Sequence, residues 1–231
     1  LEEGPGRRRR FLDWGVFHVE PTFLANWRRY HQALRQRNAA LKLERGDEDL
    51  AAWEIELAAS GESLARQREA YLARIAGPLG TLGTALLDRP ITLVHSAGWD
   101  ADRPLLETLQ AGRPRDRRYR ATQAGPHRGD VSVQVGGRAA KDRVSRGQQK
   151  LVAAALRLAQ LEIQEQERPG RSALLLDDPA AELDRENLAR LMAIVQKLPA
   201  QLWVTSLRAD IPGLPARGRM FHVEQGTVRA A

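Results

Sequence analysis

Two neighbouring aspartates, Asp177 and Asp178, end an apolar run in the stretch LLLDDPAAELD, residues 174–184. A continuous apolar run of this kind predicts a strand buried on both faces, and α/β proteins place ligands at the carboxyl ends of such strands. There Asp177 can hold Mg²⁺ through water, while Asp178 can orient and polarise an attacking water molecule. Taken alone, the stretch favours a turn with solvated charges, so the catalytic interpretation depends on the motifs that accompany it.

A second motif, SRGQQK, begins at Ser145, which lies 32 residues before Asp177 (177 − 145 = 32). Ser145 and Gln148 have the spacing of a capping box, which predicts a well-made helix start. The same Ser-x-Gly start suits a phosphate, because its free N–H groups and the positive end of the helix dipole point outward. Gly147 lets another molecule approach the backbone, and the Ser145 hydroxyl can donate to a phosphate oxygen. Both interpretations stay open at this point.

A third acidic position, Asp184, precedes a predicted helix and is a candidate N-cap for it. The apolar positions of that helix are Leu188, Leu191, Met192 and Val195. In chain order the sequence therefore has a Ser-x-Gly helix start, a strand ending in two aspartates (a Walker B arrangement) and an acidic loop. This order resembles the second half of an ABC-type ATPase head, of the kind found in SMC-like repair proteins.

The elements that would position these residues alternate between helix and strand over the last third of the chain. We expect a helix over 146–167, a strand over 173–177, a helix over 185–197, a strand over 201–205 and a closing hairpin around Gln225-Gly226. This alternation is typical of one flank of an α/β sheet. It places the two aspartates at the end of the first of these strands.

The first half of the chain predicts a helical arm. After Pro21, apolar residues recur on one helical face, at Phe23, Trp27, Tyr30, Leu34 and Leu41. A seven-residue repeat follows at Leu50, Leu57, Leu64 and Tyr71. Ser60 and Gln67 are too polar for a sustained coiled coil, so the patterns predict an antiparallel arm packed on itself. The glycines and proline of GPLGTLG, residues 77–83, predict a loop that ends the arm.

Shorter elements connect the arm to the last third. The stretch PITLVHSAGW predicts a strand, DRPLLETLQAG a short helix, and DVSVQVGGR a half-exposed hairpin around its Gly-Gly turn. The beginning, LEEGPGRRRRFLDWG, leads from an apolar Leu1 and a Gly-Pro turn into a buried-looking segment, Phe11 to Trp14. That is a poor beginning for a domain, and we expect that the sequence is cut from a longer chain at this point.

Composition limits the class of protein. A chain of 231 residues, 42% hydrophobic and 28% charged, can bury one core with a helical appendage. No apolar run approaches the roughly 18 residues of a spanning helix, and no signal-peptide pattern is present, so we expect a soluble protein. The absence of cysteine excludes a disulfide framework and thiolate metal sites, and it fits a cytoplasmic location. The five histidines show no metal-ligand spacing.

The charge balance points to a polyanionic partner. The net charge is +7, and only four of the 36 basic residues are lysine, so arginine, which grips phosphate bidentately, dominates. A GC-rich genome explains the arginine bias equally well, so only the positions of the arginines can indicate a binding surface. One candidate DNA-binding set is the run Arg7, Arg8, Arg9 and Arg10, for which a solvated turn is the alternative. A second set lies on the first arm helix, at Arg28, Arg29, Arg35 and Arg37.

Longer stretches resemble one family more closely than ABC-type ATPases in general. They are GPGRRRRFLDWGVFHVEPTFLANWRRYHQALRQRNAALK, GPHRGD, SRGQQKLVAAALRLAQLE, LLLDDPAAELD and MFHVEQGTV. Together they resemble the RecF family of bacterial recombination-repair proteins, from Gly4 to Val228. FLDWG and QRNAALK are specific to that family. The resemblance implies an α/β fold, the C-terminal part of an ABC-type P-loop ATPase head with an inserted helical arm.

The resemblance also implies roles for residues. It makes Ser145, Gly147 and Gln148 the signature, Asp177 the Mg²⁺ carboxylate, Asp178 the catalytic carboxylate and Asp184 the acidic-loop residue. It implies three regions: an edge of the head over 1–20, the arm over 21–112, and the rest of the head over 113–231.

The sequence departs in two respects from the pattern of ABC heads, in its phosphate loop and in the residues at Asp178 and Thr205-Ser206. The phosphate loop GxxxxGK[ST] is absent from these 231 residues. In the family it lies ahead of the point where this sequence begins, so we expect a fragment without the front lobe. Asp178 stands where many ABC heads have glutamate, as in RecF-like proteins, which fits slow hydrolysis. Thr205-Ser206 stands where they have a switch histidine.

The functional expectation is an ATP- and Mg²⁺-dependent repair ATPase that binds single- and double-stranded DNA. The resemblance implies an ATP-sandwiching homodimer, a place at gaps and single-strand/duplex junctions in the SOS response, and RecR, RecO and RecA-type partners. The alternative, which the missing phosphate loop favours for the chain as it stands, is a non-catalytic DNA-binding or dimerisation module.

Overall fold

The computed structural model describes residues 4–140, 144–208, 211–214 and 218–230. The chain divides into two compact units, Leu1–Arg168 and Pro169–Ala231. None of the helices within the described residues combines the length and the apolar character needed to cross a membrane.

The limits predicted from the sequence, 1–20, 21–112 and 113–231, refer to parts of a larger ATPase and stay a prediction. The division by compactness falls elsewhere, between Arg168 and Pro169.

Three helices open the first unit: α1 (Pro5–Val19), α2 (Phe23–Lys42) and α3 (Asp47–Leu87). Helices α2 and α3 pack against each other as an antiparallel pair, the predicted arm. The Asn26 amide donates to the Ser63 hydroxyl at 2.9 Å across the pair. The apolar positions predicted for the two helices are buried, except that Trp27 is half-buried; the fully buried ones are Phe23, Tyr30, Leu34, Leu41, Leu50, Leu57, Leu64 and Tyr71.

Helix α3 corrects the predicted loop at residues 77–83. The helix continues through Pro78 to Leu87, because its apolar stripe continues on the same face with Ile75, Leu79 and Leu82 buried. Proline removes one helical hydrogen bond, but the packing of that stripe outweighs the local preference. The glycines of GPLGTLG therefore lie in a helix.

Helix α1 corrects the expectation of a buried segment from Phe11 to Trp14. Leu12 and Val16 are buried, whereas Trp14 is 42% exposed. Helical geometry is the reason, because residues four apart share a face while a residue two positions away points elsewhere.

The remaining elements of the first unit include an antiparallel sheet, formed by β1 (Ile91–Ser96), β2 (Asp130–Val135) and β3 (Arg138–Ala139). The register pairs Ile91 with Val135 and Ser96 with Asp130. Three helices complete the unit: α4 (Leu105–Ala111), α5 (Arg113–Tyr119) and α6 (Arg146–Glu167). The predicted strand, short helix, half-exposed hairpin and long helix are confirmed, whereas α5 was not foreseen.

The second unit is small. Its elements are β4 (Ala173–Leu176), α7 (Pro179–Glu182), α8 (Arg185–Val195), β5 (Gln201–Val204), β6 (Phe221–Glu224) and β7 (Thr227–Ala230). Strands β4 and β5 are parallel, and β6 and β7 form the predicted hairpin. Leu188, Met192 and Ile211 form its core, against which Leu176, Leu183, Leu202 and Val204 pack.

Strand β4 is not buried on both faces, which corrects a third expectation. Leu176 faces the core of the second unit, whereas Leu175 is 73% exposed. Within the described residues β4 pairs only with β5, and α8 packs on one face of that pair. Successive side chains of a strand point to opposite faces, so one face is covered and the other is open.

Candidate functional site

The two aspartates stand at the carboxyl ends of a parallel strand pair. Leu176 is in register with Val204, so Asp177 and Thr205 leave the two strands side by side. The Thr205 N–H donates to the Leu176 carbonyl at 2.9 Å, which continues the ladder by one bond. The sheet therefore places both aspartates at the edge where α/β proteins bind ligands, as the sequence predicts.

Thr205 links the two aspartates through its hydroxyl. The hydroxyl donates to Oδ1 of Asp177 at 2.5 Å and accepts from the Asp178 N–H at 3.0 Å. The same N–H also donates to the Thr205 carbonyl at 3.1 Å. One side chain thus fixes the carboxylate of Asp177 and the backbone of Asp178 together.

Sequence reasoning noted Thr205 only as the residue in the place of a switch histidine. Its contact with the aspartates could have been inferred from two signals, the parallel strands and a hydroxyl directly after the second one. Parallel strands end at one edge of a sheet, so residues that follow neighbouring strands lie close together.

Asp178 adopts a left-handed backbone conformation, with φ 38° and ψ 55°. Aspartate tolerates this region better than most residues, although it costs about 1 kcal/mol relative to the ordinary helical region. The turn leads directly into α7, whose first residue, Pro179, is buried. The Asp178 carboxylate makes no capping hydrogen bond to α7, so it remains available to a water molecule.

The Asp177 carboxylate suits Mg²⁺ held through water. It is exposed, and the Thr205 hydroxyl engages Oδ1 and leaves Oδ2 for a water ligand. Carboxylate oxygens with several retained waters are the usual protein environment of Mg²⁺. Within the described ranges, no group of three or more acidic or histidine side chains forms a cluster that could hold a metal directly.

Asp184 is the N-cap of α8, as its position predicts. Its Oδ1 accepts from the Asn187 N–H at 2.9 Å, and its Oδ2 accepts from the Asn187 side-chain amide at 2.6 Å. These hydrogen bonds, the backbone one foremost, hold the pKa of the Asp184 carboxyl below its ordinary value. Its further role in an acidic loop stays a prediction.

Ser145 caps α6 in the first unit, and the capping box is complete. The Gln148 N–H donates to the Ser145 hydroxyl at 3.3 Å, and the Ser145 N–H donates to Oε1 of Gln148 at 3.0 Å. Around Gly147, a Cβ would meet nothing closer than the Ser145 hydroxyl at 4.0 Å. The helix start is therefore both well capped and open to another molecule.

The arginine run on α1 contributes to the structure of the first unit. Arg8 forms a bidentate pair with Asp130, at 2.9 and 2.7 Å. Arg9 donates to the Gly129 carbonyl at 2.7 Å. These bonds tie α1 to the loop GPHRGD. Arg7 and Arg10 are exposed.

On α2 the structure corrects one predicted DNA-binding residue. Arg37 is 0% exposed, and it lies between Glu54, at 3.0 Å, and Asp116, at 2.6 Å. A buried guanidinium needs such partners, because leaving it unpaired costs several kcal/mol. Arg37 therefore cannot belong to a DNA-binding surface. Arg28 and Arg35 are exposed, and Arg29 pairs with Glu56 at 2.8 Å.

Comparison with known proteins finds similar sequences and similar solved structures. No family model matches the chain. It is 41% identical over 234 residues to the DNA replication and repair protein RecF of Pseudomonas fluorescens (strain ATCC BAA-477), a match that covers 99% of this chain and 64% of that protein. The RecF of Chromohalobacter salexigens is 41% identical over 233 residues, covering 98% and 64%.

A solved structure described as the recombination mediator protein RecF with ATP, in the RecFOR pathway, is similar along the same length. Its TM-score is 0.83 at 25% identity, and the match covers 99% of this chain and 64% of that one. The fold is thus a mixed α/β fold corresponding to the C-terminal part of an ABC-type ATPase.

More particularly, the chain is similar to proteins named RecF over 98–99% of its own length. It spans about 64% of the length of the curated relatives that it matches.

Proposed function

We propose that this chain is part of an ATP-dependent, DNA-binding protein of replication and recombination repair. The names of its relatives support this role, as does the fold. The observation that carries the proposal is the pair Asp177 and Asp178, joined by the Thr205 hydroxyl at the carboxyl edge of parallel strands.

The chemistry assigned to these residues is phosphoryl transfer to water. Mg²⁺, when bound, neutralises charge on the phosphate oxygens. Asp177 would hold it through a water ligand, with Thr205 fixing the carboxylate. Asp178 would accept a hydrogen bond from the attacking water and polarise it. An aspartate is shorter than the glutamate of many ABC heads by one methylene, which fits slow, switch-like hydrolysis.

The helix start at Ser145 would face the γ-phosphate held by a second copy of the protein. Its open backbone at Gly147 and its N–H groups suit an anion. Two heads would then sandwich ATP, with Gln148 completing the signature and Asp184 in the acidic loop. Closure on ATP would grip DNA, and hydrolysis would release it.

We further propose that the protein acts in the cytoplasm, at single-strand gaps and single-strand/duplex junctions, in the SOS response. The RecFOR description of the solved relative supports RecO and RecR as partners, and a RecA-type protein would act with them. The net charge of +7 supports binding to DNA.

The second candidate, a non-catalytic DNA-binding or dimerisation module, has one observation in its favour. These 231 residues contain no GxxxxGK[ST], and GPLGTLG lies within α3, where it cannot form a phosphate-binding nest. We therefore expect the 231-residue chain alone to show no ATP affinity in the micromolar range by calorimetry.

The deciding experiment changes Asp178 in a protein that also carries a phosphate loop. Asp178→Asn keeps the shape and the Asp177 site but removes the base, so ATP hydrolysis should fall on the order of 10²-fold while ATP still binds. Asp102→Asn, the same change at an exposed position, is the control. Near-normal turnover of Asp178→Asn would move the catalytic role elsewhere, and hydrolysis absent from the unmodified protein would favour the module.

A further inference from the structure

Helix α5 carries a charge pattern that the functions above do not use. Five arginines fall within residues 113–120, which read RPRDRRYR. The one acidic residue, Asp116, is buried and points inward. Its carboxylate accepts from Arg37 at 2.6 Å and from the Gln123 N–H at 2.9 Å. Asp116 therefore anchors the helix to the interior.

Three of the five arginines are engaged with acids of the arm. Arg113 pairs with Glu54 at 2.6 Å, and Arg117 pairs with Asp47 at 2.6 Å. Arg120 pairs with Glu44 at 2.9 Å. The carboxylates next to α5 are therefore already paired with these three arginines. They do not compensate the charges of the remaining two.

Arg115, Arg118 and Tyr119 lie on the exposed surface of the helix, and we call them the outer face of α5. Arg118 and Tyr119 follow Arg115 by three and four positions, so each lies next to Arg115 on the helix surface. All three are exposed, and Tyr119 is 59% exposed. In the part of the chain that the structure describes, neither Arg115 nor Arg118 has a carboxylate within ion-pair distance.

We propose that the outer face of α5 is a contact surface for single-stranded DNA. Two uncompensated guanidiniums can each grip a phosphate, and an exposed aromatic ring on the same face can stack on an unpaired base. The anchored helix holds the three side chains on one surface before binding, which lowers the ordering cost. The inference rests on the proposed DNA-binding function and adds a defined surface to it.

The test compares matched variants of the 231-residue chain by fluorescence anisotropy with labelled single- and double-stranded oligonucleotides. Arg115→Ala/Arg118→Ala should weaken single-strand binding on the order of 10-fold at low salt. It should also make the salt dependence shallower by about 1.4 in log–log slope, about 0.7 for each lost phosphate contact. The control, Arg89→Ala/Arg138→Ala, removes the same charge at exposed positions near the β2–β3 turn and should retain most of the affinity.

Tyr119 separates base stacking from charge. Tyr119→Ala should weaken single-strand binding about 5-fold or more and leave duplex binding nearly unchanged, while Tyr119→Phe keeps the ring and the affinity. These positions are exposed, so thermal melting should confirm that each variant folds.

Three other results would overturn parts of the proposal. Equal losses in the two double-arginine variants would show an effect of net charge alone, and they would overturn the outer face as a site. Unchanged DNA affinity of Tyr119→Ala, together with competition by polyglutamate, would indicate an acidic protein partner instead. Failure of the unmodified chain to bind any DNA would refute DNA binding by this chain itself, and the surface with it.

Discussion

Replacing Thr205 by valine should separate the positioning of the aspartates from the stability of the fold. Valine keeps the branched shape of threonine and loses only the hydroxyl. That hydroxyl donates to Asp177 at 2.5 Å and accepts from the Asp178 N–H at 3.0 Å, so both aspartates lose one contact. The strand pairing is untouched, because the Thr205 N–H still donates to the Leu176 carbonyl.

The expected losses of stability and of rate follow from the hydrogen bonds that Asp177 and Asp178 keep in Thr205→Val. The Asp178 N–H retains the Thr205 carbonyl at 3.1 Å, and the exposed Asp177 carboxylate regains water. No buried group is orphaned, so the free energy of unfolding should fall by only about 1 kcal/mol. A catalytic carboxylate displaced by about 1 Å costs up to about 10²-fold in rate, so ATP hydrolysis should fall about 10- to 100-fold.

The assay is turnover together with denaturant unfolding, in a protein that also carries a phosphate loop. Thr205→Ser restores the hydroxyl and should recover most of the rate. Ser206→Ala removes the neighbouring hydroxyl, which accepts from the Arg208 N–H and does not contact the aspartates, and should have little effect on hydrolysis. Hydrolysis by Thr205→Val at the unmodified rate, or a serine variant as slow as the valine variant, would refute the positioning role.

Three further predictions concern other parts of the molecule. Ser145→Asp, in a protein with a phosphate loop, should fold and bind ATP but should not dimerise or hydrolyse ATP, because aspartate caps a helix well yet repels a γ-phosphate. An ATP-dependent dimer seen by sedimentation, with normal ATP turnover, would show that Ser145 is only a helix cap. Burial lowers the pKa of His127 to about 4 in the folded chain, against 6.5 when it is free, so its contribution to stability is full above pH 6.5 and is lost as the pH falls toward 4. The loss is on the order of 3 kcal/mol of the free energy of unfolding. In His127→Gln, the free energy of unfolding measured with urea should change less with pH over that range. The same pH dependence in the variant as in the unmodified chain would contradict the burial argument. DNA affinity of the chain should fall steeply with salt and vary little with base sequence, whereas equal affinity at low and physiological salt would remove phosphate contact as its basis.

The arm shows where sequence reasoning succeeds and where it stops. Leu50, Leu57, Leu64 and Tyr71 recur every seven residues and are all buried, because a helix repeats its face on that spacing. The predicted loop at residues 77–83 is helical instead, because the cost of Pro78 is local whereas the packing of the stripe around it is not. Helix α5 was missed because its arginines show no apolar periodicity, and its helical start is stabilised by Asp116 bonded to a distant Arg37.

The sequence by itself determined the features that depend on neighbours along the chain. These include the capping box at Ser145, the N-cap at Asp184, the long helix over 146–167 and the order of strand, aspartates and helix. Each is a matter of spacing, which short-range hydrogen bonds and helical or strand periodicity convert directly into structure. Family-specific stretches such as FLDWG added the resemblance to RecF, which the comparisons confirm.

Only the tertiary structure decided which distant residues meet. Thr205 reaches Asp177 across 28 positions of sequence because β4 and β5 run parallel and end together. Arg37 was predicted on a DNA-binding surface, yet it lies buried between Glu54 and Asp116, since two carboxylates from other helices compensate its desolvation. Spacing along a chain cannot reveal such pairs, because their free energy depends on a geometry that exists only after the elements have packed.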